Sequence, residues 1–203
     1  MENKLKTIIF DLDGVLIDAC EWHYGALNKA LKKCSLKPIG RNDHLKKYNG
    51  LPTATKLEMM SINEENSRKV RELKKKYTAE IIAKECKPDN EKIEMLHSLK
   101  NYTLACCSNA IKESIVDMLT KSNMINYFDL VIGNDEIKNP KPDPEIYLKA
   151  FEILKVKPEE CLIIEDAPYG IEAAKASGAI VIAVKGHKDV NLDLFRRLNC
   201  NLR

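Results

Sequence analysis

No stretch of this 203-residue chain approaches the roughly 20 consecutive apolar residues of a membrane span, so no membrane partner is expected. The opening Met1-Glu2-Asn3-Lys4-Leu5-Lys6 leads straight into a short apolar run that stops at Asp11, which is not the pattern of a secretory signal. Neither sign of charge dominates. The 33 Lys+Arg stand against 30 Asp+Glu, and a net charge of +3 is too small to argue for a nucleic-acid partner. The seven cysteines include no Cys-x-x-Cys pair and no Cys/His cluster with zinc-ligand spacing. Reduced thiols in a cytoplasmic protein, several of them filling the core, are the expectation. Internal repeats and low-complexity tracts are missing too. What remains is an ordinary globular composition, 44% hydrophobic and 31% charged, in a chain long enough for one large domain or two small ones.

Four short apolar runs read as buried parallel strands: Thr7–Phe10, Thr103–Cys107, Leu162–Ile164 and Ile180–Val184. Leu130–Ile132 is a weaker fifth. Helical patterns fall between the later runs, at Asn90–Lys100, Ile111–Ser122, Pro144–Leu154 and Gly170–Ser177. This alternation predicts an α/β fold, a doubly wound, Rossmann-like parallel sheet. The first connection is too long for one crossover unit of ~30 residues. Its surplus reads as helices at Glu21–Cys34, Asn42–Lys47 with Thr55–Met60, and Glu64–Glu85. The expected organisation is a core of residues 1–16 and 88–203 with an inserted α-helical cap domain, residues 17–87, over the carboxyl ends of the strands. The insert carries a balance of +7 and the remainder −4. A basic insert over an acidic core could attract an anionic small molecule. A solvated helix surface is the plainer reading, and the simplest one for Lys74-Lys75-Lys76.

The strongest chemical signal is Phe10-Asp11-Leu12-Asp13-Gly14. Carboxylates at i and i+2 of an extended chain share a face, and ligands of parallel sheets bind just beyond such strand ends. Two like charges held close imply a cation, a raised pKa, or both; a plain Asp-x-Asp-Gly turn is the alternative. Ser108-Asn109 follows the second run directly, Lys141 sits in the proline-rich loop after the fifth, and Glu165-Asp166 follows the third. Singly, Ser-Asn is a common helix cap and Pro-Lys-Pro a stiff loop. Together they set a hydroxyl, an ammonium and four carboxylates around one crevice.

These motifs, Asp11-Leu12-Asp13-Gly14-Val15, Ser108-Asn109, Lys141-Pro142 and Glu165-Asp166 with Gly170-Ile171, resemble those of the haloacid dehalogenase superfamily, in the branch of sugar phosphatases and β-phosphoglucomutase. The resemblance spans essentially the whole chain. It implies a phosphatase that uses Mg²⁺, with Asp11 as nucleophile and Asp13 as general acid/base. Ser108 and the Asn109 N–H would hold phosphate oxygens, and Lys141 would stabilise charge. Asp166 and Glu165 would bind the metal with Asp11 and the Asp13 carbonyl. With Asp13 protonated, a phosphate monoester and three ionised carboxylates outweigh Lys141 by about four charges without an ion and about two with one. Hard oxygen donors also suit Mg²⁺ better than zinc.

Within that superfamily, the dehalogenases lack the second aspartate, so Asp13 points to phosphoryl transfer. Mutases have a threonine where Ala19 stands. They also carry, on the cap loop, an arginine that grips a second phosphate; Thr53 is at or near that place here, with Lys56 as a neighbouring substitute. Hydrolysis of a small phosphorylated metabolite, perhaps a sugar phosphate, is therefore expected over mutation of a phosphosugar. His23 is read equally as a substrate contact or as packing at the cap hinge. A phosphoacceptor signalling module is a third reading. Its phosphorylated aspartate follows the third strand, however, and no helical insert interrupts it. The short chain, carrying its own cap, is expected to be a monomer.

Overall fold

The computed structural model describes residues 5–200. Five runs form strands β1 (Thr7–Phe10), β2 (Thr103–Cys107), β3 (Leu130–Ile132), β4 (Cys161–Glu165) and β5 (Ile180–Ala183). They make one parallel sheet in the order β3-β2-β1-β4-β5. The period of two sorts each strand between two cores. Ile8 and Phe10 face one core, built with α5 (Asn90–Ser98), α6 (Lys112–Lys121) and α9 (Leu192–Arg197). Ile9 faces the other, built with α7 (Glu145–Leu154) and α8 (Pro168–Ala176). Helices on both faces are what a doubly wound sheet requires. Cys86, Cys106, Cys107 and Cys161 are buried free thiols, as a core-filling role demands.

Between β1 and β2 run α1 (Cys20–Lys33), α2 (Arg41–Asp43) leading into a π-helical turn (His44–Tyr48), α3 (Thr53–Met59) and α4 (Glu64–Glu85). These helices close around their own apolar cluster of Leu27, Ala30, Leu31, Ile39, Leu57 and Val70. Asn63 caps α4 by accepting from the Asn66 N–H, and Glu64 and Glu65 follow in its first turn, where the helix dipole favours them. The far end of α4 leaves the cluster: Ile82 packs with Ile17 and Ala19 in the first sheet core.

Two expectations change. The run at 180–184 is not a buried strand. It is the edge of the sheet, paired only with β4, and Ile180 is 50% exposed. A final helix, α9, also went unpredicted. It has only six residues, yet it buries Leu194 and Phe195, and its start is marked by Asn191, whose side chain accepts from the Leu194 N–H. No helix of the described residues is long and apolar enough to cross a membrane.

Candidate active site

From β1 the chain steps to β2 and β3 on one side and then crosses to β4 and β5 on the other, which opens a crevice at the carboxyl end of β1. Asp11 lies at that point. Its N–H continues the ladder to Ile164 O at 3.0 Å, so its backbone is fixed by the sheet. Leu12 turns into the core, fully buried, and Asp13 returns to the side of Asp11. Gly14 then takes φ +88°, and a Cβ there would run into the Asp166 carboxylate. The tight turn is thus what lets the first and fourth strand ends approach.

Lys141 joins the charged groups. Its Nζ donates to Asp11 Oδ1 and Cys107 O, at 2.7 and 2.8 Å, and to Glu165 Oε1. Tyr147, beneath it on α7, donates its O–H to the same Glu165 oxygen at 2.7 Å. Burial works against the Lys141 charge, but Asp11 and Glu165 outweigh it and hold the ammonium well above its usual range. Burial and then Glu165 push the Asp11 carboxyl well up, with Lys141 pulling the other way. Burial, Glu165 and Asp13 push Asp166 up to about 7.

The excess of carboxylate over ammonium is itself informative. Oxygens of Asp11, Glu165 and Asp166 all lie within 4.8 Å of one another. Asp166 Oδ1 is buried with no partner among the described residues. Three hard oxygen donors and one orphaned lone pair fit a hard divalent cation such as Mg²⁺.

Asp13 has a partner of its own. Burial alone would raise its carboxyl, but His23, with Lys74 and Lys56 behind it, holds it below the usual range. His23 Nε2 lies 3.2 Å from each Asp13 oxygen. Of the two readings of His23, the observed partner is Asp13. Ser108 is buried and its Oγ accepts from the Ala110 N–H at 3.1 Å. The Asn109 amide donates to Gly50 O at 2.8 Å and accepts from the Lys141 N–H at 3.1 Å, tying the insert loop to the lysine loop. Gly50, at φ +78°, comes so near Ala167 that a Cβ would sit 2.9 Å from the Ala167 Cβ.

Beneath the insert lies a cavity of about 490 Å³, lined by Asp11, Asp13, His23, Ser108, Asn109, Lys141, Glu165, Thr53 and Lys56. Every side chain singled out in the sequence reaches it except Asp166, whose carboxylate clusters with its neighbours just behind. Lys74, Thr78, Cys20 and His44 also line it. Sequence reasoning missed these, and it assigned Lys74 to a solvated surface. A signal was present: Val70, Lys74, Thr78 and Ile82 recur every fourth residue on α4, so Lys74 falls on the stripe whose other members are buried. Trp22 packs against the sheet core and Tyr24 against His44; neither lines the cavity.

The sequence profile described as haloacid dehalogenase-like hydrolase matches residues 8–184. A phosphorylated carbohydrates phosphatase of Thermotoga maritima is 33% identical over 180 residues, covering 86% of this chain and 82% of that one. A phosphoglycolate phosphatase of Aquifex aeolicus is 34% identical over 190 residues, covering 92% and 88%. Among solved structures, a β-phosphoglucomutase from Clostridium difficile superposes with a TM-score of 0.82 at 24% identity, covering 95% of this chain and 96% of that one. Sheet order, the carboxylate cluster and the profile agree, and the chain belongs to the haloacid dehalogenase-like hydrolase family.

Proposed function

We propose that this protein is a Mg²⁺-dependent phosphatase of small phosphorylated metabolites, working through an aspartyl-phosphate on Asp11. One observation carries the reading: Lys141 joins Asp11 to Glu165 within 4.8 Å of Asp166, at the carboxyl ends of neighbouring parallel strands. The names of two relatives, a phosphatase of phosphorylated carbohydrates and a phosphoglycolate phosphatase, support it. Residues 17–87 act as the cap and the remainder as the core.

In this reading Asp11, Asp166 and Glu165 hold the ion, with the Asp13 carbonyl oxygen. When bound, Mg²⁺ offsets the carboxylate charge and polarises the phosphoryl group. The chain's own residues do the rest. Ser108 Oγ and the Asn109 N–H bind phosphate oxygens. Lys141 keeps Asp11 oriented and neutralises charge as the Asp11 oxygen bonds to phosphorus and the ester oxygen departs. Asp13 supplies the proton to that oxygen. A phosphate dianion arriving beside it disfavours its ionised form, so the proton is taken up with the substrate. Asp13 then removes a proton from the water that attacks the aspartyl-phosphate, releasing inorganic phosphate and restoring the Asp11 carboxylate. His23 steadies Asp13 through both steps. Thr53, in place of a gripping arginine, favours hydrolysis over mutation, and closure of the cap excludes bulk water.

The test is phosphate release from a panel of phosphorylated sugars, acids and polyols, with and without Mg²⁺. Wild-type protein is expected to turn over many times. Asp11→Asn should lose at least ~10³-fold in kcat while keeping its circular dichroism. Undiminished turnover by that variant would refute the nucleophile. Conversion of β-glucose 1-phosphate to glucose 6-phosphate faster than phosphate appears would favour the mutase.

A further inference from the structure

The loop that follows β3 carries none of the motif residues, yet it holds the Ser108 loop from behind. Strand β2 runs into Ser108, and residues 108–111 cross to the start of α6. That helix begins poorly. Its N-cap is Ile111, which offers no side-chain acceptor, and isoleucine is among the weakest residues at that position. The loop after β3 makes up the deficit. Asp135 Oδ1 accepts from the Lys112 N–H at 2.8 Å. Asn134 donates its amide to Asn109 O at 2.7 Å and its N–H to Ala110 O at 2.9 Å. Gly133, just before them, comes so near that a Cβ would run into the Lys112 nitrogen. The turn is fastened in its own right from two helices. Lys112 Nζ donates to Glu136 Oε1 at 2.9 Å, and Lys149 Nζ, from α7, donates to Glu136 O at 2.6 Å.

These bonds pin the backbone on either side of one donor. The Ser108 N–H continues the sheet to Ile132 O at 3.1 Å, and the Ala110 N–H goes to Ser108 Oγ at 3.1 Å. Asn134 takes the carbonyls of both Asn109 and Ala110. Between them, the Asn109 N–H donates to no described residue. Peptide units are planar, so a donor fixed on both sides has little freedom to turn. Charge shows that the loop acts through geometry. Asp135 stands at the N-terminal end of α6, where its negative charge opposes an arriving phosphate. What it gives to phosphate binding is an acceptor for the helix, not its charge.

We propose that Asn134, with Asp135, is a positioning residue for phosphoryl binding. It holds residues 108–111 so that the Ser108 hydroxyl and the Asn109 N–H meet phosphate oxygens without rearrangement, as preorganised donors must. This rests on the phosphatase reading and adds one loop to its machinery. Neither residue belongs to the carboxylate cluster, so metal binding should not feel their loss.

The experiment measures the inhibition constant of inorganic phosphate against p-nitrophenyl phosphate hydrolysis at saturating Mg²⁺, well below the melting temperature. Asn134→Ala should raise that constant, and KM with it, by ~5-fold or more. Asp135→Ala should raise both by a smaller factor. Asp135→Asn keeps the acceptor and drops the charge, so it should bind phosphate at least as tightly as the wild type. The Mg²⁺ concentration for half-activity should stay within twofold in all three. A loop that serves folding alone would lower the melting temperature and leave the phosphate constant unmoved, which overturns the proposal. A parallel rise in Mg²⁺ demand would overturn it too, because the whole site would then have loosened. Asp135 is exposed, so its pair of variants keeps the test open even if Asn134→Ala does not fold; equal weakening by Ala and Asn would remove Asp135 from the assignment. The phosphatase reading is checked separately, and fails if cooperatively melting wild-type protein leaves the ester untouched.

Discussion

At the strand ends most of the buried charge meets an answering group inside the protein: Lys141 holds Asp11 and Glu165, and Tyr147 supports Glu165 from below, leaving Asp166 Oδ1 without a partner among the described residues. Across the same cavity, Lys56 and Lys74 form no hydrogen bond or ion pair with a described residue and feel the Asp13 carboxylate only at longer range. The two sides also differ in what fixes them. The core residues sit at ends of strands whose register the sheet sets, whereas the cap residues sit on helix faces that pack around a small apolar cluster of their own. The difference teaches where a phosphoryl-transfer site is preorganised and where it is left for the ligand to complete. Groups that stabilise developing charge must be in place beforehand. Groups that recognise a substrate gain selectivity when only the right ligand satisfies them.

The comparison is broken most severely by Lys141→Met. That change leaves Asp11 and Glu165 buried side by side with no ammonium between them, and removing one partner of such a cluster costs about 3–5 kcal/mol. The melting temperature at pH 7 should fall by ~6–20 °C and phosphate release should all but vanish. At acid pH the gap should narrow, because the stranded carboxylates can take up protons. A variant that melts with the wild type at pH 7 would show that the cluster does not depend on its lysine.

Metal binding probes the carboxylate excess on the same side. Asp166 is pushed up to about 7, by burial first and Glu165 next. A ligand must lose its proton before it can bind an ion. Below that value protons compete, so the half-saturating Mg²⁺ concentration should climb by up to about tenfold per pH unit as pH falls, and level off above it. Calorimetric titration of substrate-free protein with Mg²⁺ at pH 6, 7 and 8 reads this directly. Equal affinity at pH 6 and 8 contradicts the assignment of Asp166 as a ligand.

Tyr147→Phe sharpens the comparison more gently. It keeps the ring under Lys141, whose Nζ lies 5.0 Å from the ring centroid, and deletes only the O–H that holds Glu165. The loss should be ~1 kcal/mol in stability and several-fold in kcat, with a weaker hold on Mg²⁺ in the same titration. An unchanged Mg²⁺ titration would reduce Tyr147 to a core side chain.

How legible each side was follows from its geometry. Asp11, Asp13, Ser108, Glu165 and Asp166 each come within a few residues of an apolar run, so a linear reading that finds the strands also finds them. Lys141 needed only its loop and the order of the motifs. The cap offered no such punctuation. Lys56 sits in a seven-residue helix and Lys74 in a run of three lysines, where composition argues for solvent. Only the fourfold recurrence from Val70 to Ile82 turns Lys74 inward, and that stripe acquires meaning once its helix is packed against α1. The contact between Asp13 and His23 escaped prediction for a different reason. His23 lies ten residues away, and no spacing rule pairs them.

The smallest effect tests the cap side through stability alone. Lys56 falls from 10.5 to about 7 on burial, with Lys74 adding to the shift. Between those values the unfolded chain holds more protons at this site than the folded one, so the stability contribution rises with pH. Below about 7 the folded protein must carry the charge unanswered, and the penalty is at its full size. Lys56→Met removes it. The variant should therefore be more stable than the wild type at pH 6.5 by about 2 kcal/mol, or ~4–8 °C in melting temperature, with a smaller gain at pH 9.5. A hydrogen-bonded structural lysine predicts the opposite sign, since its loss would lower the melt at both pH values. A variant no more stable than the parent at pH 6.5 would show that the folded protein carries the Lys56 charge without a burial penalty.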